Sequence, residues 1–328
     1  AIEFGGDILG AGGGEATDVT LNTTGAITVK GIGAGNINDV TLNGGTVSIN
    51  GTISTAVLGG TGNNKTSDLG DVDIDGAVTL AGATVINTSS SGGTVHVANT
   101  INGANTLTIN SGGGAVTLAG VIGGDTAIGN LVVNAASASH TGTGAISIDD
   151  IGDDTVAASA GTVNVGNANT SDLNLTGTIY RIGAAKFTAA SSANNIDITD
   201  TNGNVEFDLA NASLEFAGSN IELSGGTNLV ADTGNAALTV LGIRGTTDAF
   251  GDVTLTTTGT VTVGTGGIGS GTQIGDVRLD GGTIALKGNI TTSGAGNANT
   301  ANDKGDIDLN GAVSIDGAVI LTSDVIGS

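Results

Sequence analysis

The densest group of side chains that could do chemistry is a run of four carboxylates at Asp149, Asp150, Asp153 and Asp154, interrupted by an isoleucine and a glycine. Calcium is bound by oxygen ligands of this kind, often with a glycine at a sharp turn. The sequence therefore predicts these four residues as metal ligands and calcium as the candidate ion. The alternative is a polar corner of the fold, and nothing else in the sequence requires a cofactor.

A second acidic motif places Asp71, Asp73 and Asp75 at alternate positions. It looks like the start of a calcium-binding loop between two helices, but that loop needs a bidentate Glu at its twelfth position, where this chain has Gly82. The apolar residues between the three carboxylates fit the inward face of a β-strand. The carboxylates would then lie about 6.6 Å apart on the wet face, which predicts solvation rather than chelation.

Composition excludes several classes of site. The chain has no Cys, two His and eight Lys or Arg against 31 Asp or Glu, so its net charge is −23. Without Cys there are no disulfides, thiolate zinc sites or cysteine nucleophiles. The acidic surface disfavours nucleic acid, because phosphate contacts need Lys and Arg. Aromatic residues make up 2% of the chain, too few for extended sugar-stacking platforms. We expect no enzymatic activity and no catalytic residues.

The strands that must position these side chains are indicated by a short repeated motif, here called the Asp word: Asp, an apolar residue, any residue, and an apolar residue. It occurs at 18–21 and again 21 residues later at 39–42, and several more copies follow along the chain. Alternation with period two indicates β-strands, and the glycine-rich segments between words indicate corners. The chain has 60 Gly and no Pro, as expected where every coil donates to a backbone ladder. The sequence therefore predicts an all-β parallel β-helix, a β-solenoid with rungs of about 21 residues. A β-sandwich array is the alternative fold.

A longer superrepeat of about 235 residues contains these words. Residues 17–29 match residues 251–263 at 9 of 13 positions. We expect residues 1–328 to form one continuous β-solenoid, with a first superrepeat copy at 17–250 and a partial second copy at 251–328. The polar segments 59–69 and 291–304 are predicted to be equivalent protruding loops. No stretch approaches 18 apolar residues, so membrane insertion is not expected, and the first residues lack a signal-peptide pattern.

Rungs such as Gly251 to Val263 resemble those of the long β-solenoid surface proteins of bacteria: filamentous-haemagglutinin-like exoproteins, autotransporter passenger shafts and giant repeat adhesins. The resemblance lies in pattern and composition and covers nearly the whole chain. It implies an extracellular or cell-surface location and a structural or adhesive role as a shaft or filament. Its implied partners are further copies of itself, stacked end to end, together with cell-surface glycans or other cells. The alternative function is a secreted β-helix that binds or degrades polysaccharides.

Overall fold

A computed structural model describes residues 1–10, 17–33, 37–56, 69–88, 92–134, 144–153, 160–191, 196–200, 203–224, 226–246, 251–272, 274–293 and 305–324. All regular elements in these ranges are β-strands. The contacts divide the chain into two compact units, Ala1–Ser171 and Asp172–Ser328. That residues 1–328 form one continuous solenoid stays a prediction.

The described strands of the first unit are short, each two to seven residues long. In chain order they are β1 Ile2–Glu3, β2 Ile8–Leu9, β3 Thr17–Asn22, β4 Ala26–Val29, β5 Ile32–Gly33, β6 Ile37–Asn43, β7 Thr46–Ile49, β8 Thr52–Ser54, β9 Val72–Ile74, β10 Ala77–Leu80, β11 Thr84–Asn87, β12 Val95–Val97, β13 Ile101–Asn102, β14 Leu107–Asn110, β15 Val116–Leu118, β16 Ile128–Val133, β17 Ile146–Ile148 and β18 Ala160–Val165.

The second unit contains longer strands, some of which continue around a corner. They are β19 Leu173–Leu175, β20 Ile179–Thr188, β21 Ile196–Ile198, β22 Asn204–Leu209, β23 Leu214–Ala217, β24 Ile221–Leu223, β25 Asn228–Asp232, β26 Leu238–Gly245, β27 Val253–Ile268, β28 Val277–Leu286, β29 Ile290–Ser293, β30 Ile307–Ile315 and β31 Leu321–Asp324.

The strands pair in parallel with the equivalent strands one coil earlier and one coil later, which confirms the β-solenoid. In the first unit β3 pairs with β6, β6 with β9 and β9 with β12, through Val19↔Val40, Val40↔Val72 and Val72↔Val95. A sandwich is built from antiparallel strands, whereas every pairing described in both units is parallel. The expected 21-residue rung holds between the first two words, and the typical spacing along the chain is about 24 residues.

The core of each unit is a ladder of aliphatic side chains that alternate with outward polar residues. Val40, Val72 and Val95 are all buried, while Thr41, Asp73 and His96 on the same strands are partly exposed. Because side chains alternate along a strand and coils stack in register, each inward position repeats from coil to coil. Outward positions therefore also form columns, in which residues that are distant in sequence become neighbours.

The repeated Asp has a specific structural role that the sequence pattern did not reveal. Its carboxylate accepts a hydrogen bond from the backbone N–H of the equivalent residue in the next coil. Asp39 Oδ1 accepts from Asp71 N at 2.8 Å, and Asp71 Oδ1 accepts from Thr94 N at 2.7 Å. In the second unit Asp252 and Asp276 act in the same way, each accepting from the next Asp of the series at 2.8 and 2.7 Å. The Asp words thus tie successive coils together at one corner.

Close approach of successive corners explains part of the high glycine content. A Cβ at Gly93, Gly114 or Gly144 would collide with the carbonyl oxygen of the corresponding glycine one coil earlier. Only a residue without a side chain fits such a column. Gly113, by contrast, has open space around it.

Four of the six aromatic residues of the chain are buried together in the second unit. The rings of Tyr180 and Phe207 stack at 4.5 Å, those of Phe187 and Phe216 stack at 5.4 Å, and the two pairs meet edge to face. These rings come from strands β20, β22 and β23, so the narrow coil holds more large rings than its overall composition suggested. Phe4 is 37% exposed, and Phe250 lies outside the described residues.

The two superrepeat copies use the same registers. In the first copy Val19, Val40 and Val72 are paired across three coils, and in the second copy Val253, Val277 and Ile307 take their places. Of the two predicted loops, most of 59–69 and of 291–304 lies outside the described residues. Leu69 is exposed, and residues 291–293 belong to β29, which pairs with β31.

Candidate functional site

The predicted calcium ligands lie directly after β17, at a corner of the first unit. Asp149 and Asp150 are half-buried, and the backbone there is tied to neighbouring coils through Asp149 N to Leu118 O at 3.0 Å and Ile122 N to Asp150 O at 2.9 Å. Burial raises the pKa of the Asp149 carboxyl, and the adjacent Asp150 charge acts in the same direction. Asp153 is also described, but Asp154 lies outside the described residues, so calcium at this cluster stays a prediction.

A second group combines the central Asp of the Asp71–Asp75 motif with a histidine of the next coil. His96 is in register with Asp73, and its Nδ1 lies 2.8 Å from Asp73 Oδ1. Both side chains are a little under half exposed. The sequence pattern placed Asp73 on a wet face, which is correct, but it did not show that an imidazole lies across from it.

A third charged column runs along the outward face of the second unit. Asp197, Glu222 and Arg244 occupy the same position on β21, β24 and β26. Arg244 Nη2 donates to Glu222 Oε2 at 2.5 Å. Burial, followed by the negative charges of Asp172 and Glu222, raises the pKa of Asp197 to about 7, and Arg244 opposes this shift only in part. A side-chain hydrogen bond with Asp172 also raises the pKa of Asp197.

Basic residues that are scattered in sequence are placed across from acids of neighbouring coils. Besides Arg244, Lys186 Nζ lies 2.9 Å from Glu215 Oε1, and Arg278 contacts Asp280 at 3.2 Å and Asp308 at 3.6 Å. These pairs follow the strand register, which puts Lys186 opposite Glu215 and Arg278 opposite Asp308. The Arg278–Asp280 pair lies within β28, and the other pairs join neighbouring coils, so the basic residues do not converge on one binding cluster.

The last described coil, 305–324, presents an apolar face. Val313 is 44% exposed, Ile315 59%, Ile320 62% and Leu321 47%. Val313, Ile315 and Leu321 occupy inward positions of the repeat, because they pair with the buried Ile284, Leu286 and Ile290. Ile320 corresponds to Val85 of the first copy, which is partly exposed.

The equivalent coil of the first superrepeat copy shows how this kind of face is covered. Val78, Leu80 and Ile86 stand at the positions of Val313, Ile315 and Leu321, and they are 4%, 2% and 1% exposed. They are buried because the next coil, with strands β12, β13 and β14, stacks on β9, β10 and β11. The chain therefore contains both the open face and its covered counterpart.

Comparisons of the chain with protein-family models, with curated proteins and with solved structures found no match. In the part of the chain that the structure describes, no helix has the length and apolar character needed to cross a membrane. What is established is therefore the fold, a repeat protein that forms a parallel β-solenoid.

Proposed function

We propose that the protein is a non-enzymatic structural shaft of a bacterial cell surface that assembles by stacking one solenoid coil on another. The observation that carries this proposal is the apolar face of coil 305–324. Its inward residues are about half exposed, whereas their counterparts in the first copy are buried by a further coil. The occupant we propose for this face is another coil of the same repeat.

The energetics favour this partner. Fully burying a Val, Leu or Ile side chain stabilises by about 1.5–3 kcal/mol, so covering the three half-exposed inward side chains contributes about 3 kcal/mol. A strand ladder at the open face adds backbone hydrogen bonds, and such edges readily template pairing. The Asp306 carboxylate continues the corner series in which Asp276 accepts from Asp306 N at 2.7 Å, so it offers the next acceptor. A head-to-tail contact of this kind extends rather than closes, which yields filaments.

The surface chemistry supports a shaft more than a polysaccharide-acting β-helix. Four of the six aromatic rings are buried in the core, where they cannot stack on sugars. The basic residues Lys186, Arg244 and Arg278 are engaged in cross-coil ion pairs. The extracellular location and the adhesive role remain part of the proposal and rest on the resemblance to bacterial surface solenoids.

The test compares two neighbouring substitutions on β30 of the full chain. Ile315→Glu places a charge on the apolar face, and Ser314→Glu places the same charge on the outward wall. We expect concentration-dependent association, measured by analytical ultracentrifugation and electron microscopy, in the wild type and in Ser314→Glu but not in Ile315→Glu, because an unpaired charge is costly to bury. A wild-type chain that stays monomeric at high concentration, or equal association of both variants, would overturn the proposal. Binding to a glycan array would then favour the polysaccharide alternative.

A further inference from the structure

The outward wall of the first unit holds a group of three metal-ligating side chains, Asp73, Asp75 and His96. One ligand atom from each residue lies within 4.8 Å of the others. Asp73 lies in β9, Asp75 follows that strand by one residue, and His96 is the central residue of β12 in the next coil. The strand register places His96 directly across from Asp73. All three side chains are partly exposed, so an ion from solution can reach them.

The second superrepeat copy offers an internal comparison at the same place. Asp308 and Asn310 occupy the positions of Asp73 and Asp75, and Arg278 lies in register with Asp308 on the preceding coil. The guanidinium of Arg278 lies 3.6 Å from Asp308 and 3.2 Å from Asp280. In the second copy the positive charge at this outward position is therefore supplied by the Arg278 side chain.

The first copy has a different set of residues at that position. Thr41 takes the place of Arg278 in register with Asp73, and a second carboxylate, Asp75, replaces the neutral Asn310. On the same two coils the first copy therefore has a threonine and two carboxylates where the second copy has a guanidinium, a carboxylate and an amide, and the next coil of the first copy adds the imidazole of His96. The acidic residues at this place in the first copy would therefore suit a bound cation, because the preceding coil supplies Thr41 there and not a basic side chain.

We propose that Asp73, Asp75 and His96 form a site for a divalent transition-metal ion of the zinc or copper class. Imidazole nitrogen suits Zn²⁺ and Cu²⁺, whereas Ca²⁺ takes six to eight oxygen ligands. Two carboxylates and one imidazole supply three protein ligands and leave further positions for water or for a group from a partner. This site is separate from the predicted calcium cluster at Asp149–Asp154, and it does not depend on the proposed shaft function.

The experiment titrates Zn²⁺ and Cu²⁺ into the full chain at about pH 7.5 by isothermal titration calorimetry. We expect one saturable site that His96→Gln and Asp73→Asn each weaken by about 10-fold or more, since even indirect partners of a metal are worth about 10- to 100-fold. Two controls should bind like the wild type. Asp308→Asn removes the same charge at the equivalent position of the second copy, and His140→Gln removes the other histidine of the chain.

Spectroscopy of bound Cu²⁺ and competition with Ca²⁺ test the proposed site independently of the affinities of the variants. The electron paramagnetic resonance spectrum of bound Cu²⁺ should show coupling to one imidazole nitrogen that is lost in His96→Gln. The proposal is overturned by the absence of saturable binding tighter than about 100 μM, by unchanged affinity in His96→Gln, or by equal competition from Ca²⁺.

Discussion

The raised pKa of Asp197 predicts that replacing this residue by Asn stabilises the protein at neutral and alkaline pH. In the folded chain the pKa is about 7, against an ordinary value of 3.8. Between these values the folded chain retains a proton that the unfolded chain has released. The contribution of this group to stability therefore falls as the pH rises from about 4 to 7, and the full destabilisation is present above pH 7.

The size of the effect follows from the shift and from the exposure of the side chain. The difference between a pKa of about 7 and the ordinary 3.8 corresponds to about 4 kcal/mol, because one pKa unit is about 1.4 kcal/mol. Asp197 is only half-buried, so solvent screening reduces this to about 1–2 kcal/mol. Asn keeps a donor for the hydrogen bond to Asp172 and removes the charge that burial and Glu222 disfavour.

The assay is urea unfolding followed by circular dichroism at about pH 4 and about pH 8. We expect Asp197→Asn to match the wild type at the lower pH and to exceed its free energy of unfolding by about 1–2 kcal/mol at the higher pH. Asp308→Asn, at an exposed outward position of the same unit, controls for the loss of one negative charge from an acidic chain. The reasoning is refuted if Asp197→Asn is less stable than the wild type at about pH 8, or if its gain is the same at both pH values.

Two further predictions concern the contacts between coils, each measured by urea unfolding. Asp252→Ala should destabilise the protein by about 1–2 kcal/mol, because the backbone N–H of Asp276 loses its acceptor at 2.8 Å. Asp252→Asn retains an acceptor and should be nearly neutral. Equal losses of stability in both variants would contradict the hydrogen-bond explanation. Gly114→Ala should lower the free energy of unfolding by about 1–3 kcal/mol, because the added Cβ meets the Gly93 carbonyl oxygen. Gly113→Ala should lower it much less, because there is open space around Gly113. Similar losses of stability at both glycines would contradict the close-approach argument.

The fold was predictable because its determinants repeat in the sequence. The alternation in words such as 39–42 indicated which residues face inward, and Val40 and Leu42 are buried as expected. The absence of Pro and the glycine corners indicated a parallel ladder. The role of the corner Asp was not predictable in the same way, because its acceptor function depends on a backbone N–H one coil later. Only the stacked structure brings Asp39 within 2.8 Å of Asp71 N.

The sites were harder to predict for a related reason. The sequence directed attention to acidic residues that are adjacent in the chain, at 149–154 and 71–75. The third member of the Asp73 group, His96, lies 23 residues away. The raised pKa of Asp197 arises from burial and then from the charges of Asp172 and Glu222 in neighbouring coils. These distances are close to the coil spacing of about 24 residues. A search for chemistry-bearing residues separated by one rung would have found both groups, but unequal rung lengths obscure that period.

The difference between inward and outward positions determines which sites a superrepeat of this kind can contain. Inward positions are constrained in every coil, since each aliphatic side chain supports the next, whereas outward positions face only their neighbours in the column. Arg278 across from Asp308 and His96 across from Asp73 show two different solutions built on the same register. A solenoid can therefore gain or lose a charged or metal-binding column by single outward substitutions that leave its core unchanged. On this argument, differences in function among copies of the repeat reside in outward columns and end faces, and those are the surfaces on which both proposals rest.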